Sequence, residues 1–425
     1  MFSVDFLRRK LASPAFCFQA MFVTFCAYLV GFASGYGFRE ALPPIAFLFL
    51  VVYYRTDYAH SNLHAFQGKG YLLLFGLFLI FSVLTSQQPL DSFLHVGRGL
   101  NKQFMVFFLA LECARGRKEI LLLAWMLLLG CYLEGLACVH QSLTGHDIIH
   151  GDPLLAGRLT GTMAWYWVGS YLVLAGIPCL ALACEIWRSF GRGIGSFLVL
   201  ALLLPPLFGI VFGGSRASYL AALTTAAFAF LITHPKLSCK RLVLSLGLPA
   251  LVLIALLFFC GQGRFSLSGI AHDSRLTLWG YALEVFATDP LTGVGAWQYR
   301  PVVQSLPFAT TAPAELINLS HPHNVYLQVL CETGVIGSIL CFLPILALFV
   351  QGGRVAGKMV RSPHLSRQQR QLARLAFFFW LGCFAYLIHG LVGHDFFRPW
   401  YQALFFTHLG ILQGATLALQ KNQAS

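Results

Sequence analysis

The chain has 425 residues, of which 57% are hydrophobic and only 11% are charged, and its mean hydropathy is +0.71. Such a chain has too little polar surface to enclose itself in water, so lipid must cover most of it and a soluble globular protein is excluded. The net charge of +13 does not indicate nucleic-acid binding, because the basic residues follow the predicted membrane segments. We therefore predict an all-α polytopic membrane protein in which residues 1–425 form a single integral membrane domain.

Apolar stretches long enough to cross a hydrocarbon core of about 30 Å as helices recur along the whole sequence. The first follows Arg8, Arg9 and Lys10 but lacks a small-residue cleavage site, so it is interpreted as a spanning helix and not as a cleaved signal. About twelve transmembrane helices are predicted, at 13–36, 41–54, 70–86, 92–112, 119–139, 163–187, 194–212, 216–233, 242–261, 324–350, 373–392 and 399–419.

The basic residues divide unevenly between the two sides of this arrangement. With the N-terminus in the cytoplasm, twenty of the 29 Lys and Arg residues fall in cytoplasmic segments and seven on the opposite face, while Arg98 and Lys102 lie inside the fourth span. The positive-inside rule therefore predicts cytoplasmic N- and C-termini. All seven outer basic residues are arginines, which suggests oxyanion binding. For Arg39, Arg264 and Arg300, the favoured interpretation is that they snorkel to lipid headgroups.

One predicted outer loop, residues 262–323, is much longer than the other connections, and loops of that length are usually functional or disordered. Apolar residues at helical spacing follow Arg275 within it, with Asp273 or Ser274 as the N-cap and Asp289 at the end. This pattern predicts an amphipathic helix that lies along the outer membrane surface.

Three outer segments carry residues suited to a polyanionic ligand: 213–216 before the eighth span, 274–276 at the start of the loop helix, and 321–324 at the start of the tenth span. Glycines before Arg216 allow a ligand to approach the backbone, and a helix N-terminus favours a phosphate. Arg275 also begins a helix, so two arginines and two helix dipoles are predicted to converge on one anion. Pyrophosphate fits this description.

A candidate general base lies in the third of these segments. His323 is predicted in the first turn of the tenth span, and a histidine side chain, with an ordinary pKa of about 6.5, suits proton transfer. The neighbouring Asn324 either caps the helix or orients the ring, and the simpler alternative is that both residues only cap the helix. Pro322 restricts the residue before it, so the rival His321 is predicted to lie in the loop.

The sequence has no P-loop, GxGxxG, HExxH, DxD-type or CxxC motif, and its twelve cysteines lie mostly in apolar runs, as expected of small buried residues. No metal site and no cofactor is predicted. Nucleotide-activated sugars are made in the cytoplasm, so an outer site favours a sugar carried on a polyprenyl pyrophosphate. Such a donor needs cations that stabilise the leaving group and a base for the acceptor hydroxyl.

Four motifs follow one another along the chain: GRLTGTM at 157–163, GGSRASYLAAL at 213–223, DSRLTLWGYALEVFATDPLTGVG at 273–295, and HPHNVYLQVLCETGVIG at 321–337. Together they resemble the O-antigen ligase and polymerase superfamily. The resemblance implies a GT-C-type glycosyltransferase of the bacterial inner membrane that uses an undecaprenyl-pyrophosphate-linked glycan, without a metal, at a periplasmic active site. The segment 163–167 departs from the more polar sequence expected at that place.

The same resemblance assigns roles to individual residues. Arg216 and Arg275 would bind the donor pyrophosphate, and His323 would be the catalytic base. The secondary candidates are His321, Asn324, Arg158, Ser215, His394 and Arg398.

Within the superfamily, the favoured reaction is that of a ligase, which moves the glycan en bloc to a sugar hydroxyl of lipid A-core in lipopolysaccharide biosynthesis. The alternatives are an O-antigen polymerase, with the same donor and a lipid-linked glycan as acceptor, and a protein O-oligosaccharyltransferase. A lateral opening for lipid A-core would favour the ligase. A lipid-linked glycan transporter, the alternative from another class, would need polar groups through the membrane midplane, where Arg98 and Lys102 are the main charges.

Overall fold

The computed structural model describes residues 13–163, 167–234, 274–393 and 399–424. The regular structure of these residues is helical, apart from isolated β-bridges between His146 and Pro153 and between Leu155 and Arg158. Numbered in chain order, the helices are α1 Pro14–Gly31, α2 Tyr36–Asp57, α3 Asn62–Ala65, α4 Lys69–Leu84, α5 Pro89–Cys113, α6 Arg117–Thr144, α7 Val168–Phe190, α8 Ser196–Gly213, α9 Arg216–Thr233, α10 Arg275–Thr288, α11 Tyr299–Ser305, α12 Ala314–Ile317, α13 Val325–Val360, α14 Arg367–Gly390 and α15 Pro399–Ala424.

The predicted polytopic helical architecture is confirmed for the described residues. Two shorter apolar helices, Lys69–Leu84 and Gln103–Cys113, coincide with the third and fourth predicted spans. The number of about twelve spans stays a prediction, and the predicted span 242–261 lies outside the described residues. Within the described residues, eight segments are long and apolar enough to cross a membrane: Pro14–Gly31, Gly37–His60, Arg117–Thr144, Val168–Gly213, Arg216–Thr233, Val325–Val360, Arg367–Gly390 and Tyr401–Lys421.

The long apolar segment Val168–Gly213 contains two antiparallel helices, which agrees with the two spans predicted there. Gly191, with a φ of 74°, ends α7, and the chain then reverses into α8. A Cβ atom on Gly213 would lie 3.3 Å from the backbone nitrogen of Gly169, so the end of α8 lies beside the start of α7. The first residues of α9, which follow directly, are therefore held next to α7.

Small residues allow close approach between the helices. α15 packs along α5, and a Cβ atom on Gly410 would lie 2.6 Å from the Phe107 carbonyl oxygen. One on Gly414 would lie 2.5 Å from the Ala114 Cβ atom. Helix packing in membranes depends on such contacts, because lipid removes most of the hydrophobic drive between helices.

Helix α13 is broken at Gly334, whose φ of 63° is left-handed. In an unbroken helix, the N–H groups of the next two residues would donate to the carbonyls four positions earlier. Here they donate instead to the carbonyls of Pro290 and Leu291, at 2.9 and 3.2 Å. The carbonyls of Cys331 and Glu332, which lose these helix partners, accept instead from the N–H groups of Val294 and Gly295, at 3.3 and 2.7 Å. The loop after α10 therefore replaces one turn of helix hydrogen bonds and is fixed against α13.

The helix predicted in the long loop is confirmed as α10, which ends at Thr288. Its residues Leu278, Ala282 and Val285 are buried, and the helix packs against α13. Its opposite face carries Leu276 and Leu283, which are exposed. One apolar face of α10 thus contacts protein, and its position along the membrane surface stays a prediction.

Candidate functional site

Arg216 is the first residue of α9, and the two residues before it form the turn that presents it. Gly214 follows α8 in a left-handed conformation, with a φ of 61°, which favours glycine. Ser215 is the N-cap, and its Oγ atom accepts from the Ser218 N–H group at 3.4 Å. The helix start predicted at Arg216 is therefore observed.

Arg158 fixes the end of α8 immediately before this turn. Its Nε and Nη2 atoms donate to the Gly213 carbonyl at 2.9 and 2.6 Å, and its side chain is buried. A Cβ atom on Gly214 would lie 3.2 Å from the Arg158 Nε atom, so the glycine also leaves space for the guanidinium group. The secondary candidate Arg158 thus lies beside the turn that presents Arg216.

Two buried side chains of α6 hold the loop that carries this arginine. Gln141 Oε1 accepts from the N–H groups of Thr160 and Gly161 at 2.9 and 3.0 Å. Glu134 accepts from the Thr162 N–H group at 2.9 Å and from the Thr162 hydroxyl at 2.5 Å. A Cβ atom on Gly161 would lie 2.0 Å from a Glu134 oxygen, so this approach requires the glycine of the GRLTGTM motif. Neither Gln141 nor Glu134 is among the site residues predicted from the sequence.

Arg39 is buried, which corrects the prediction that it snorkels to lipid headgroups. Its side chain is 8% exposed and interacts electrostatically with Glu134. A charged group in the interior needs an opposite charge or hydrogen-bond partners, and Glu134 of α6 lies close enough to interact with it. Arg300 is exposed, and Arg264 lies outside the described residues.

The first half of the same loop is folded around Asp147. One of its carboxylate oxygens accepts from the N–H groups of Ile149 and His150 at 2.8 and 2.7 Å, and the other accepts from that of Asp152 at 2.7 Å. Burial acts to raise the pKa of Asp147, but these backbone hydrogen bonds outweigh it and hold the pKa below its ordinary value. The loop is therefore an ordered structure tied to the end of α6.

His389, near the end of α14, joins several helices and is absent from the sequence candidates. Its Nδ1 atom lies 2.5 Å from the Tyr401 hydroxyl of α15, and its Nε2 atom lies 3.0 Å from Ser170 Oγ of α7. Ser170 Oγ in turn lies 3.2 Å from Ser218 Oγ of α9. A chain of polar side chains therefore crosses four helices and ends in the first turn of α9.

Arg275 is the first residue of α10, as predicted, with Ser274 in the N-cap position. Ser274 makes no side-chain cap hydrogen bond because its own backbone is helical, and the alternative cap Asp273 lies outside the described residues. The Arg275 guanidinium interacts electrostatically with the His389 ring. The second candidate arginine therefore lies within electrostatic range of the polar chain that reaches the start of α9.

His323 lies before α13 and not in its first turn, which corrects the prediction. Asn324 is the N-cap, and its Oδ1 atom accepts from the N–H groups of Tyr326 and Leu327 at 3.0 and 3.1 Å. Because this cap satisfies N–H groups of the first turn, the helix begins at Val325. His323 itself has a left-handed φ of 55°.

His321 and His323 contact each other through their rings. The ring centroids are 4.4 Å apart, and the His321 Nδ1 atom lies 3.1 Å from the Ser320 hydroxyl. His321 is only 5% exposed, whereas His323 is half-buried. Of the two histidines, His323 is therefore the more accessible to a ligand.

The start of α13 lies against the end of α14. The Tyr326 hydroxyl donates to the Leu387 carbonyl at 2.8 Å, and a Cβ atom on Gly390 would lie 3.4 Å from the Val325 Cβ atom. Because His389 is adjacent to these contacts, the histidine segment lies at the same end of the helix bundle as the two arginines, below called the site end. The secondary candidates His394 and Arg398 lie outside the described residues.

An apolar cleft of about 220 Å³ runs between α7, α8, α9 and α14. Leu172 and Ala222 line one end of it, within about one turn of Ser170 and Ser218. The cleft continues along α7 and α9 away from the site end, as far as Ala229. The cleft therefore begins next to the polar chain.

A comparison with protein-family models finds a match to the segment that contains most of these groups. Residues 197–342 match the family model described as O-Antigen ligase. This part of the chain is similar to members of the O-antigen ligase/polymerase superfamily. The matched range contains the motifs at 213–223, 273–295 and 321–337, so the resemblance seen in the sequence is confirmed. Members of this superfamily are glycosyltransferase-like enzymes of membranes that use lipid-linked glycan substrates. No curated protein matches the chain.

Proposed function

We propose that the protein is an O-antigen ligase, which transfers a glycan en bloc from undecaprenyl pyrophosphate to a sugar hydroxyl of lipid A-core. The reaction takes place at the periplasmic face of the bacterial inner membrane. The observation that carries this proposal is that Arg216 and Arg275 are each the first residue of a helix and lie near one polar chain through His389, which ends in the first turn of α9 and is within electrostatic range of Arg275. The superfamily match supports the class of donor.

Two helix N-termini and two guanidinium groups suit a pyrophosphate. The N–H groups and partial positive charge of a helix start favour an anion. A guanidinium group donates two parallel hydrogen bonds to phosphate oxygens and keeps its charge at physiological pH. Negative charge on the pyrophosphate grows as the glycosidic bond breaks, so contacts from Arg216 and Arg275 strengthen in the transition state.

His323 is the proposed general base, because it is the more accessible ring of the histidine pair. It accepts the proton of the acceptor hydroxyl while that oxygen bonds to the anomeric carbon of the glycan. The bond from this carbon to the pyrophosphate oxygen breaks at the same time, and undecaprenyl pyrophosphate leaves with the electron pair. A single displacement of this kind inverts the anomeric configuration. Since the arginines stabilise the leaving group, the reaction is proposed to need no metal.

The apolar cleft between α7, α8, α9 and α14 supports a lipid-linked donor. It begins within about one turn of Ser170 and Ser218, so an isoprenoid chain has an apolar path next to the proposed pyrophosphate position. Burial of such a chain is favourable in proportion to the apolar area removed from water. A donor anchored in this way presents its sugar at the site end.

The uneven distribution of basic residues supports the proposed orientation, with both termini in the cytoplasm and the site end in the periplasm. The helical architecture and the lipid-linked donor agree with a glycosyltransferase of the GT-C type. The long loop 262–323 is proposed as the periplasmic part of the single membrane domain, and it carries Arg275.

The proposal is tested by reconstituting the purified protein in liposomes with a defined undecaprenyl-pyrophosphate-linked glycan. Lipid A-core and a second lipid-linked glycan are offered as acceptors in parallel reactions. The ligase proposal expects transfer to lipid A-core, with inversion and with undiminished rate in excess chelator. Extension of the lipid-linked glycan instead would identify a polymerase, and movement of the donor across the membrane without transfer would identify a transporter.

A further inference from the structure

We propose that His389 is a positioning residue that sets the distance between the two candidate pyrophosphate-binding arginines. The inference rests on the proposed function for the identity of the ligand, but its structural part concerns only the relative position of two helix starts. His389 is 1% exposed, is linked through Ser170 and Ser218 to the helix that begins at Arg216, and interacts electrostatically with Arg275.

One side of the His389 ring controls the start of α9. The chain of hydrogen-bond contacts runs from the ring to Ser170, at 3.0 Å, and from Ser170 to Ser218, at 3.2 Å. Ser218 is completely buried and is also the residue whose N–H group is capped by Ser215. A shift of the ring is therefore transmitted to the N-terminal turn of α9, where Arg216 is the first residue.

The other ring nitrogen is held by α15. The Tyr401 hydroxyl lies 2.5 Å from the Nδ1 atom, and the Arg275 guanidinium interacts with the ring electrostatically. A Cβ atom on Gly393 would lie 2.3 Å from the same Nδ1 atom, so the turn after α14 also closes tightly over the histidine. The ring is thus held by α7, α15 and the turn after α14, and it lies within electrostatic range of Arg275.

The chemistry of the ring suits a fixed spacer. A neutral imidazole has one donor and one acceptor, so it fits between two hydroxyl groups whichever way the hydrogen bonds run. Neutral His389 therefore adds hydrogen bonds between helices without competing with the arginines for an anion.

His408 provides a matched control within the same chain. It is also 1% exposed in the helix bundle, and its ring lies 5.7 Å from that of Phe379, centroid to centroid. A substitution there disturbs a buried histidine without touching the chain from Tyr401 to Ser218. Comparison of the two positions separates an effect on the arginines from a general loss of packing.

The test compares His389→Ala, His389→Gln, Tyr401→Phe and His408→Gln in the same nanodiscs. The distance between α9 and α10 is measured by pulsed electron paramagnetic resonance. The spin labels are attached at two exposed positions, Leu220→Cys of α9 and Leu283→Cys of α10. Binding of undecaprenyl pyrophosphate is measured in parallel. We expect a broader or shifted distance distribution for His389→Ala, with donor binding roughly 10-fold to 100-fold weaker. The amide of His389→Gln can still bond to Ser170, so this variant should partly recover the wild-type distance distribution and the donor binding. His408→Gln should match the wild type in both measurements.

An unchanged distance distribution in His389→Ala, relative to His408→Gln, would overturn the inference regardless of the binding result. If His389→Ala does not fold, Tyr401→Phe removes a single hydroxyl group and serves as the test, with a smaller broadening expected. Failure of the wild type to bind undecaprenyl pyrophosphate would contradict the proposed function. A broadened distribution in that case would still support His389 as the spacer between α9 and α10.

Discussion

At the scale of single residues, His323 combines a left-handed backbone with a half-buried ring. For a residue other than glycine this conformation costs roughly 1–2 kcal/mol, and it persists only where the surroundings fix it. Pro322 precedes it, and Asn324 caps α13 immediately after it. The ring position is thus well defined, which suits a group that must meet an acceptor hydroxyl.

The role of His323 is tested with His323→Asn, because asparagine tolerates the left-handed conformation but cannot act as an equivalent base. We expect single-turnover transfer to fall by roughly 10²-fold to 10⁴-fold, while donor binding is retained. His321→Asn, at the buried neighbour, is the control and should have a milder effect. Loss of transfer in His321→Asn together with normal transfer in His323→Asn would reverse the two roles.

Residue positions that depend on local signals are predictable from the sequence. Arg216 and Asn324 occur where a serine or asparagine cap meets an apolar run, and both are observed at helix starts. His389 is not predictable in this way, because its partner Ser170 is 219 residues away in the chain. In the sequence it is a single histidine in an apolar span, and only the folded bundle gives it partners.

At the scale of elements, the break in α13 links the histidine segment to the loop after α10. Gly334 is left-handed, and a Cβ atom on it would lie 2.3 Å from the Leu291 carbonyl oxygen. We expect Gly334→Ala to lower the free energy of unfolding by about 1–3 kcal/mol, measured as thermal unfolding in detergent. Transfer should fall as well, because the loop that follows α10 is displaced.

Gly280→Ala, on α10 itself, is the matched control. A Cβ atom there meets nothing within 4 Å, and alanine has a better helix propensity by up to about 1 kcal/mol. This variant should be as stable as the wild type or slightly more stable. Equal stability of Gly334→Ala and Gly280→Ala would contradict the described role of the helix break.

Helices follow from the sequence more readily than breaks do. Each predicted span within the described residues coincides with a helix, because a long apolar run in lipid must satisfy its backbone hydrogen bonds internally. Glu332, Thr333 and Gly334 interrupt the apolar run of α13, but two polar residues and a glycine do not by themselves specify a break. The partners of the freed backbone groups come from residues 290–295, and that pairing is visible only in the folded protein.

At the scale of the whole molecule, the orientation in the membrane is tested by labelling introduced cysteines with an impermeant thiol reagent. Glu315→Cys, in the long loop, should react in spheroplasts, and His364→Cys, between α13 and α14, should react only after permeabilisation. Both positions are exposed, and the described native cysteines other than Cys184 are buried. Reaction of His364→Cys alone in intact spheroplasts would contradict both the orientation and the proposed periplasmic site.

The proposed site requires that two arginines from distant segments act on one pyrophosphate. It is tested by a double-mutant cycle on Arg216→Ala and Arg275→Ala, with transfer measured in liposomes under matched expression. Each single variant should lose at least about 2–4 kcal/mol of transition-state stabilisation, and lysine should restore it only partly. Arg300→Ala, at an exposed arginine of α11, is the control and should transfer normally.

If both arginines contact the same leaving group, the double variant loses less than the sum of the two single losses, by about 0.5–3 kcal/mol. Independent action gives additive losses, within about 0.5 kcal/mol. Additive losses, or near-normal transfer in either single alanine variant, would contradict the shared pyrophosphate site.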